Sequence, residues 1–343
     1  MVVAAVSLIA LTCVAFLLPV PYVTMRPGPA FDTLGTFEEK PMFTFGKDVK
    51  TYPTSGNLDF TTVSVSRADS HVHLADAISA YFDKNVAVVP RTLIYPDNQS
   101  AKQSTAESAA QLDGSKDSSK VAALRAAGFD VTPTTQIGQV VKGGASVGKL
   151  KAGDVVTAVD GTTVSTPEEA IMAVGSHKPG ETVRMDVTRK GKRAEVSLVT
   201  RPDPKDASIP RIGVTLATTY AFPFEIDNNV GRSIGGPSAG TMFALAIYDK
   251  LTPGSLTGGE RVAGTGEMAA DGTVGPIGGV RQKMAGAAKA GAKIFLVPAA
   301  NCAEAADGDD DGLRLVKIST LNDAISSLET LTKNNKAEVP ACS

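Results

Sequence analysis

The chain has 343 residues, of which 43% are hydrophobic, and its formal net charge at pH 7 is -2. That length and apolar content are enough for one or two hydrophobic cores, so a disordered or fibrous protein is excluded. A net charge so close to zero creates no field that would recruit nucleic acid, and no basic stripe with interleaved aromatic residues is present. We therefore expect no binding to nucleic acid.

The N-terminus begins with an uncharged stretch, MVVAAVSLIALTCVAFLLPVPYV, and the first cationic residue is Arg26. An apolar stretch of that length can cross a bilayer as a helix. The alternative, a cleaved signal peptide, lacks its basic region and its small-residue cleavage site. We expect a transmembrane anchor over residues 1–24, a single pass through the cell membrane, and a catalytic part outside the cytoplasm.

Two of the three cysteines, Cys302 and Cys342, lie outside this predicted anchor. An anchored protein facing an oxidising compartment would keep such a pair oxidised. Our hypothesis is a disulfide that ties the C-terminal tail, residues 334–343, back to the body of the protein; the alternative is two free thiols.

The segment after the anchor leads into regular structure. Residues 25–55 contain closely spaced prolines and glycines, which predict an irregular exit segment. GNLDFTTVSVS alternates in the manner of a strand, and HLADAISAYFD predicts a helix. The polar tract NQSAKQSTAESAAQLDGSKDSSK is either a loop or a solvated helix, and SSKVAALRAAG predicts a helix that ends at Gly128.

From about Gly128 to Arg201, short β-rich pieces surround one helix, TPEEAIMAVGSH. Thr166 can cap that helix and Pro167 suits its first position. GGASVGKL matches the phosphate-loop pattern until Leu150, which stands where a serine or threonine would hold magnesium, and a strand follows it instead of a helix. We therefore expect no nucleotide site here.

In context, GKLKAGDVVTAVDGTTV and TPEEAIMAVGSH resemble the PDZ domains attached to membrane and periplasmic proteases. The resemblance implies a PDZ domain over residues 127–203 that takes an extended chain end as an added strand. By position, its carboxylate loop is expected around Ala127, Gly128 and Phe129. The alternative is a PDZ domain that only spaces or gates its neighbour.

Two patterns that look like metal sites are interpreted as structural. DGDDDG begins like a calcium loop, but Ile318 stands at the twelfth position, where a glutamate is needed. His71 and His73 have no third ligand at metal spacing, and His177 ends the helix described above. We expect no metal and no cofactor.

From Ile212 onward, strand and helix pieces alternate, which predicts an α+β or α/β arrangement. Within it, SIGGPSAGTMFALAIYDK places Ser238 in a glycine-rich turn that opens into an apolar helix, an arrangement that suits an oxyanion. No histidine lies near a matching acidic motif, so the base would be a lysine whose pKa is lowered by burial. The spacing leaves Lys283 and Lys289 both open for that role.

GGPSAG followed by TGEMAADGTVGPIGGVRQKMAGAAKAGAKIFLVPAAN closely resembles the proteolytic domain of the Lon proteases. Position by position, the resemblance implies a Ser-Lys dyad with Ser238 as the nucleophile and Lys283 as the general base, and Thr265 as the residue that holds the lysine. The N–H groups of Ser238 and Gly236 are expected to hold the oxyanion. Gly235 departs from the pattern, since many Lon sequences carry an acidic residue there.

The predicted strand and helix near residues 56–83 also look like the opening of the Lon fold. We therefore expect residues 56–126 and 206–333 to form one peptidase domain with the PDZ domain inserted. The fold class is then α+β, with an inserted β-rich PDZ domain and an N-terminal transmembrane helix. The combination resembles the membrane-anchored PDZ-Lon proteins.

These resemblances imply an ATP-independent serine endopeptidase that cleaves flexible or unfolded protein segments, binds no nucleotide and uses its PDZ domain to recruit or gate substrate. A homo-oligomer is left open. One rival hypothesis is a catalytically inactive PDZ adaptor that binds chain ends. Another is a small-molecule kinase whose glycine-serine loop cradles phosphate, but no magnesium carboxylate motif accompanies the turn.

Overall fold

The structure, a computed structural model, describes residues 2–67, 69–96 and 99–342. Residues 1 and 343, the ends of the predicted anchor and tail, and residues 68, 97 and 98, within the predicted peptidase segment, lie outside the described residues. The chain forms two compact units, unit 1 (Met1–Phe129 and Phe224–Ser343) and unit 2 (Asp130–Pro223). Unit 2 is therefore an insertion in the chain of unit 1.

The two units take their helices and strands from three successive stretches of the chain. The first part of unit 1 contains α1 Val2–Leu17, β1 Pro19–Val20, β2 Tyr22–Asp32, β3 Thr36–Phe37, β4 Lys40–Pro41, β5 Phe43–Phe45, β6 Asn57–Val65, β7 Val72–His73, α2 Leu74–Tyr81, β8 Ala87–Pro90, α3 Arg91–Ile94 and α4 Ala101–Ala126. Unit 2 contains β9 Thr132–Val140, β10 Val155–Val159, β11 Thr162–Thr163, α5 Pro167–Gly175, β12 Thr182–Arg189, β13 Lys192–Val199, β14 Arg201–Pro202, β15 Pro210–Arg211 and β16 Val214–Ala221. The second part of unit 1 contains β17 Ile226–Asn228, α6 Gly240–Leu251, β18 Arg261–Gly264, β19 Glu267–Met268, β20 Val274–Gly275, α7 Val280–Lys289, β21 Ile294–Pro298, a single 3₁₀ turn Ala299–Asn301, α8 Cys302–Ala306, β22 Arg314–Ile318 and α9 Leu321–Lys333.

The N-terminal helix α1 is shorter than the predicted anchor. It has 16 residues and stops at Leu17, and β1 begins at Pro19. A proline disfavours helical backbone at the residue before it, which explains the early end. Within the described parts of the chain, no helix combines the length and the apolar character needed to cross a membrane, so the transmembrane helix expected over residues 1–24 is not found.

Unit 1 is built on a six-stranded mixed sheet in the order β22-β21-β18-β6-β2-β8. The strands β22, β21, β18 and β6 run parallel to one another, whereas β2 pairs antiparallel with both β6 and β8. The predicted strand GNLDFTTVSVS is confirmed as β6, which lies inside the sheet. Fully buried Phe60 of β6 contacts Phe243 of α6, so the helix that follows the glycine-rich turn is anchored in the core.

Helix α4 is one continuous helix of 26 residues. It begins at a capping box formed by Ser100 and Gln103, and it packs against α6. Its buried residues include Ser115 and Ser119 as well as apolar side chains. The polar tract, for which a loop and a solvated helix were both possible, is therefore a helix. Its buried face carries serines, so hydrophobic periodicity did not reveal the helix.

Unit 2 contains a sheet in the order β13-β12-β10-β9-β16, with the short strand β11 paired to β10. The predicted helix α5 is confirmed, with Thr166 and Glu169 forming a capping box and Pro167 in the first turn. The edge strand β16 pairs antiparallel with β9, from Val214 opposite Val140 to Ala221 opposite Thr132. Residues 206–223 therefore belong to unit 2, which corrects the boundary of the predicted peptidase segment.

The C-terminal tail lies along the edge strand β22. Lys317 N–H donates to the Pro340 carbonyl, and Val316 pairs with Ala341 in an isolated bridge. Cys302, at the start of α8, and Cys342 are joined by a disulfide. The tail therefore covers a sheet edge that would otherwise expose its backbone hydrogen-bonding groups.

Candidate active site

The glycine-rich turn before α6 places Ser238 at the wall of a cavity. Gly236 has a φ of +83°, a left-handed conformation that glycine adopts without strain. Ser238 is half-buried, and α6 begins two residues later with a fully buried first turn. The cavity, of about 270 Å3, is lined by Pro29, Phe60, Thr61, Thr62, Val63, Ser64, Ser233, Ile234, Gly235, Gly236, Ser238, Ala239 and Lys283.

Lys283 reaches the same cavity from α7. Its residue surface is only 3% exposed, and its Nζ donates to Thr265 Oγ1 at 3.0 Å. Burial lowers the pKa of Lys283 to about 8, while nearby Glu267 acts in the opposite direction. The competing Lys289 is less buried, at the end of the helix. The fold thus distinguishes two lysines that the sequence spacing left open.

Thr265 connects the lysine to the turn. Its hydroxyl, which accepts from Lys283, donates to the Ser238 carbonyl at 3.0 Å, and Gly266 N–H donates to the same carbonyl at 2.8 Å. The structure therefore brings Ser238, Thr265 and Lys283 together. Among the described residues no hydrogen bond joins Ser238 Oγ to Lys283 Nζ, so the two side chains share the cavity without direct contact.

The oxyanion donors differ from the expectation in one residue. Gly236 N–H donates to the Ser108 carbonyl of α4 at 3.0 Å, so it is already engaged. In the part of the chain that the structure describes, no hydrogen bond engages the N–H groups of Ser238 and Ala239. These two adjacent groups, at the start of a buried helix, are the donors available to a developing oxyanion.

Helix α4 contributes contacts that our sequence reasoning missed. Ser115 Oγ donates to the Pro237 carbonyl at 2.8 Å, and Ser119 Oγ donates to the Gly240 carbonyl at 2.8 Å. Both serines are buried. The available signal was the spacing of Ser108, Ser115 and Ser119, because intervals of seven and four residues lie on one face of a helix.

Strand β6 extends past its neighbour at the cavity. The last pair between β6 and β18 is Phe60 opposite Gly264, whereas β6 continues to Val65 along β2. Asn57 N–H donates to the Glu260 carbonyl, on the side of β6 that faces β18. The backbone groups of every second residue in a strand point to the same side, so the N–H and C=O of Val63 also point to the β18 side. Among the strands that the structure describes, none pairs with this side of Val63, and Val63 lines the cavity of Ser238.

Unit 2 contains a second cavity, of about 340 Å3, between α5 and the segment that enters β16. Its lining is mostly apolar: Val141, Ala170, Ile171, Val174, Met185, Asp203, Pro204, Pro210, Arg211, Ile212, Gly213, Val214 and Leu216. Gly213 has a φ of +74°. Among the described residues no hydrogen bond engages the N–H groups of Ile212 and Gly213, so they are free to bind a carboxylate.

The expected carboxylate loop at Ala127, Gly128 and Phe129 is corrected by the structure. All three residues lie in unit 1, after the end of α4. Their N–H groups donate to the carbonyls of Ala123, Arg125 and Leu124, respectively, and so close the C-terminal turn of the helix. They cannot also bind the end of a peptide.

Comparisons with known proteins match two parts of the chain. Residues 123–200 match the PDZ domain, and residues 232–329 match the Lon protease C-terminal proteolytic domain. The Lon protease of Azospirillum brasilense is 37% identical over 93 residues, 26% of this chain and 11% of that protein. Lon protease 2 of Bacillus subtilis is 30% identical over 125 residues, 35% of this chain and 22% of that protein.

The first relatives matched are much longer proteins, of which this chain spans about 12%. Among solved structures, the PDZ domain of an SdrC-like protein from Listeria monocytogenes is 27% identical, with 24% of this chain and 86% of that chain covered and a TM-score of 0.23. The structure is of mixed α/β class, and residues 232–329 form the part that matches a proteolytic domain. That domain is of the Lon type, and it is combined with a PDZ domain.

Proposed function

We propose that this protein is a serine endopeptidase in which Ser238 attacks a peptide carbonyl and Lys283 takes the serine proton. The observation that carries this proposal is a buried lysine amine that lines the same cavity as a serine at the start of a buried helix. With its pKa lowered to about 8, Lys283 is neutral in roughly one molecule in ten at pH 7. A neutral amine is the form that acts as a base.

The remaining steps use groups already placed at the cavity. As Ser238 Oγ bonds to the carbonyl carbon, the N–H groups of Ser238 and Ala239 stabilise the oxyanion. Protonated Lys283 then gives its proton to the leaving amine, which departs and leaves an acyl group on Ser238. Water hydrolyses this ester with Lys283 again as the base, and Thr265 holds the amine throughout.

The substrate class follows from the unpaired edge of β6. An extended peptide that adds to β6 beside Val63 would satisfy the free N–H and C=O and bring its carbonyl to Ser238. A folded segment cannot offer its backbone in this way. We therefore propose that substrates are flexible or unfolded protein segments and that their cleavage requires no ATP.

For unit 2, we propose that its cavity binds the C-terminus of a substrate or regulatory peptide. The free N–H groups of Ile212 and Gly213 would hold the terminal carboxylate, and apolar Ile171 and Val174 would contact the last side chain. We further propose that the protein acts outside the cytoplasm, because the Cys302–Cys342 disulfide is stable in an oxidising compartment.

The test compares Ser238→Ala and Lys283→Met with the parent protein, using an unstructured protein substrate without ATP and a fluorophosphonate that labels active serines. We expect cleavage and labelling by the parent and loss of at least about a thousandfold of cleavage in each variant. Lys289→Met is the matched control and should retain parental activity. If the parent is not labelled but binds peptides with a free C-terminal carboxylate, the protein is an adaptor and the endopeptidase proposal is wrong.

A further inference from the structure

The turn that carries Ser238 is held on one side by a single helix face. In the described part of the chain, helix α4 contacts the turn through three hydrogen bonds: Gly236 N–H donates to the Ser108 carbonyl, Ser115 Oγ donates to the Pro237 carbonyl, and Ser119 Oγ donates to the Gly240 carbonyl. These contacts lie on both sides of Ser238 in sequence.

The two hydroxyl contacts lie in the protein interior. Ser115 is 5% exposed and Ser119 is 0% exposed, and neither residue lines the cavity that contains Ser238. Ser119 has a single hydroxyl proton, and its Oγ lies 2.6 Å from the Ser115 carbonyl and 2.8 Å from the Gly240 carbonyl, so the two carbonyls share this proton and Oγ bridges α4 and the turn. A buried hydroxyl with such a bond has one preferred direction, because the alternative is an unpaired polar group.

The close approach of the two elements requires a residue without a side chain. A Cβ atom added at Gly240 would lie 2.6 Å from Ser115 Oγ and 2.9 Å from the Met268 Cβ. Gly240 occupies the first position of α6, where most residues are acceptable in an isolated helix. The glycine therefore serves the contact with α4.

We propose that Ser115 and Ser119 are positioning residues for the nucleophile, an inference that rests on the proposed endopeptidase function. They fix the carbonyls of Pro237 and Gly240 and thereby the direction of Ser238 Oγ and of the N–H groups of Ser238 and Ala239. They touch neither the substrate nor Lys283. A displacement of about 1 Å at a reacting group can reduce a rate by about a hundredfold, so the loss of either hydroxyl should be measurable.

The experiment measures the rate at which a fluorophosphonate phosphonylates Ser238, with loss of fluoride, from about pH 6 to about pH 10 in Ser115→Ala, Ser119→Ala and the parent. We expect the labelling rate to reach a plateau at high pH that is about tenfold to a hundredfold lower in each variant. The pH at which the rate is half of its plateau should be unchanged, because that pH reflects the pKa of Lys283. In peptide cleavage, kcat should fall by a similar factor and KM should change by less than about twofold. Ser118→Ala is the control, because among the described residues no hydrogen bond joins Ser118 of the same helix to the turn.

Thermal unfolding of each variant separates this role from loss of the fold, and Ser115→Ala carries the test if Ser119→Ala does not fold. Parental labelling rates in a folded variant would overturn the proposal. So would a shifted midpoint, which indicates an effect through Lys283, or a change confined to KM, which indicates substrate contact. If the parent itself is not labelled, the endopeptidase function fails, and that result is distinct from failure of the positioning role.

Discussion

At the scale of single residues, the chemistry depends on how Lys283 is buried. Gly286, one turn later on α7, approaches β2 so closely that an added Cβ would lie 2.7 Å from the Gly28 carbonyl. This small residue lets α7 pack directly onto the sheet, and the packing removes water from Lys283. Thr265 then remains as its hydrogen-bond partner. Exclusion of solvent thus favours the neutral amine that the proposed base requires.

The pH dependence of activity should report this burial. The pKa of Lys283 is lowered to about 8 and the base must be neutral, so we expect kcat/KM to rise with pH and to reach a plateau above a midpoint near 8. Thr265→Val removes the acceptor that favours the ammonium form. For this variant we expect the pH profile of kcat/KM to have a lower midpoint and a plateau reduced by about tenfold or more, measured with a small peptide ester. A parental midpoint near 10.5, the ordinary lysine value, would contradict the interpretation.

The same burial should affect stability. The pKa of Lys283 is lowered in the folded state from 10.5 to about 8, so between these values the unfolded chain binds more protons and the free energy of unfolding rises with pH. Below pH 8 the cost of burying the ammonium is fully present. Lys283→Met should therefore unfold with a higher free energy than the parent at pH 7, by about 1–3 kcal/mol. Urea unfolding at pH 7 and pH 10 measures the free energy of unfolding of both proteins. An equal difference between variant and parent at the two pH values would contradict the prediction.

At the scale of elements, the site exists because β6 and β18 have different lengths. Both strands belong to one sheet, but β18 ends at Gly264 and the chain then turns to place Thr265 and Gly266 against the Ser238 carbonyl. Among the described residues, the same early end leaves the side of β6 that faces β18 without a partner strand beyond Phe60, while β2 stays paired on the other side. One strand end therefore supplies both a support for the turn and an open edge.

A proline on β6 tests the edge. Val63→Pro removes the N–H that points away from β2, while the pairing of Val63 with Pro27 uses no hydrogen bond from that group. We expect kcat/KM for an unstructured protein to fall by about tenfold or more, because an added strand loses one bond and meets the ring. Val63→Ala is the control for the lost side chain. Fluorophosphonate labelling should stay parental in both, and equal cleavage by the two variants would exclude pairing at this edge.

At the scale of the whole molecule, two chain segments separated by unit 2 form unit 1, and its last residues are covalently attached. The disulfide joins positions 40 residues apart and holds the tail on β22. Cys302 follows Asn301, whose side chain bonds both the N–H and the carbonyl of Ile277 ahead of α7. The disulfide thus stabilises a region that is close in the chain to the support of Lys283.

Removal of the disulfide should lower stability more than activity. For Cys302→Ser with Cys342→Ser, we expect the free energy of unfolding to fall by about 2–4 kcal/mol, since the unfolded chain regains the freedom of a long loop. Activity at room temperature should change by less than about threefold, because Asn301 keeps its bonds to Ile277. Calorimetry with and without a reductant measures the effect. A reductant should destabilise the parent and leave the double variant unchanged; no effect on the parent would contradict the prediction.

Much of this organisation could be predicted from local sequence. The predicted cap Thr166 starts α5 through contacts within a few residues, and it is confirmed. Thr320 starts α9 through a capping box of the same kind. Alternation predicted β6 for the same reason. The roles of Ser238 and Lys283 came from motifs, and they stay predictions whose geometry the fold supports.

What only the tertiary structure decided depends on partners far apart in sequence. Of the two candidate lysines, Lys283 is buried and Lys289 is exposed, the pairing of β16 with β9 spans most of unit 2, and the bond from Gly236 N–H to the Ser108 carbonyl joins two distant segments of unit 1. The serines of α4 gave no hydrophobic signal because their partners are backbone carbonyls. Local sequence thus determined the elements and the candidate residues, whereas solvent exclusion and long-range hydrogen bonds decided which of those residues are available for chemistry.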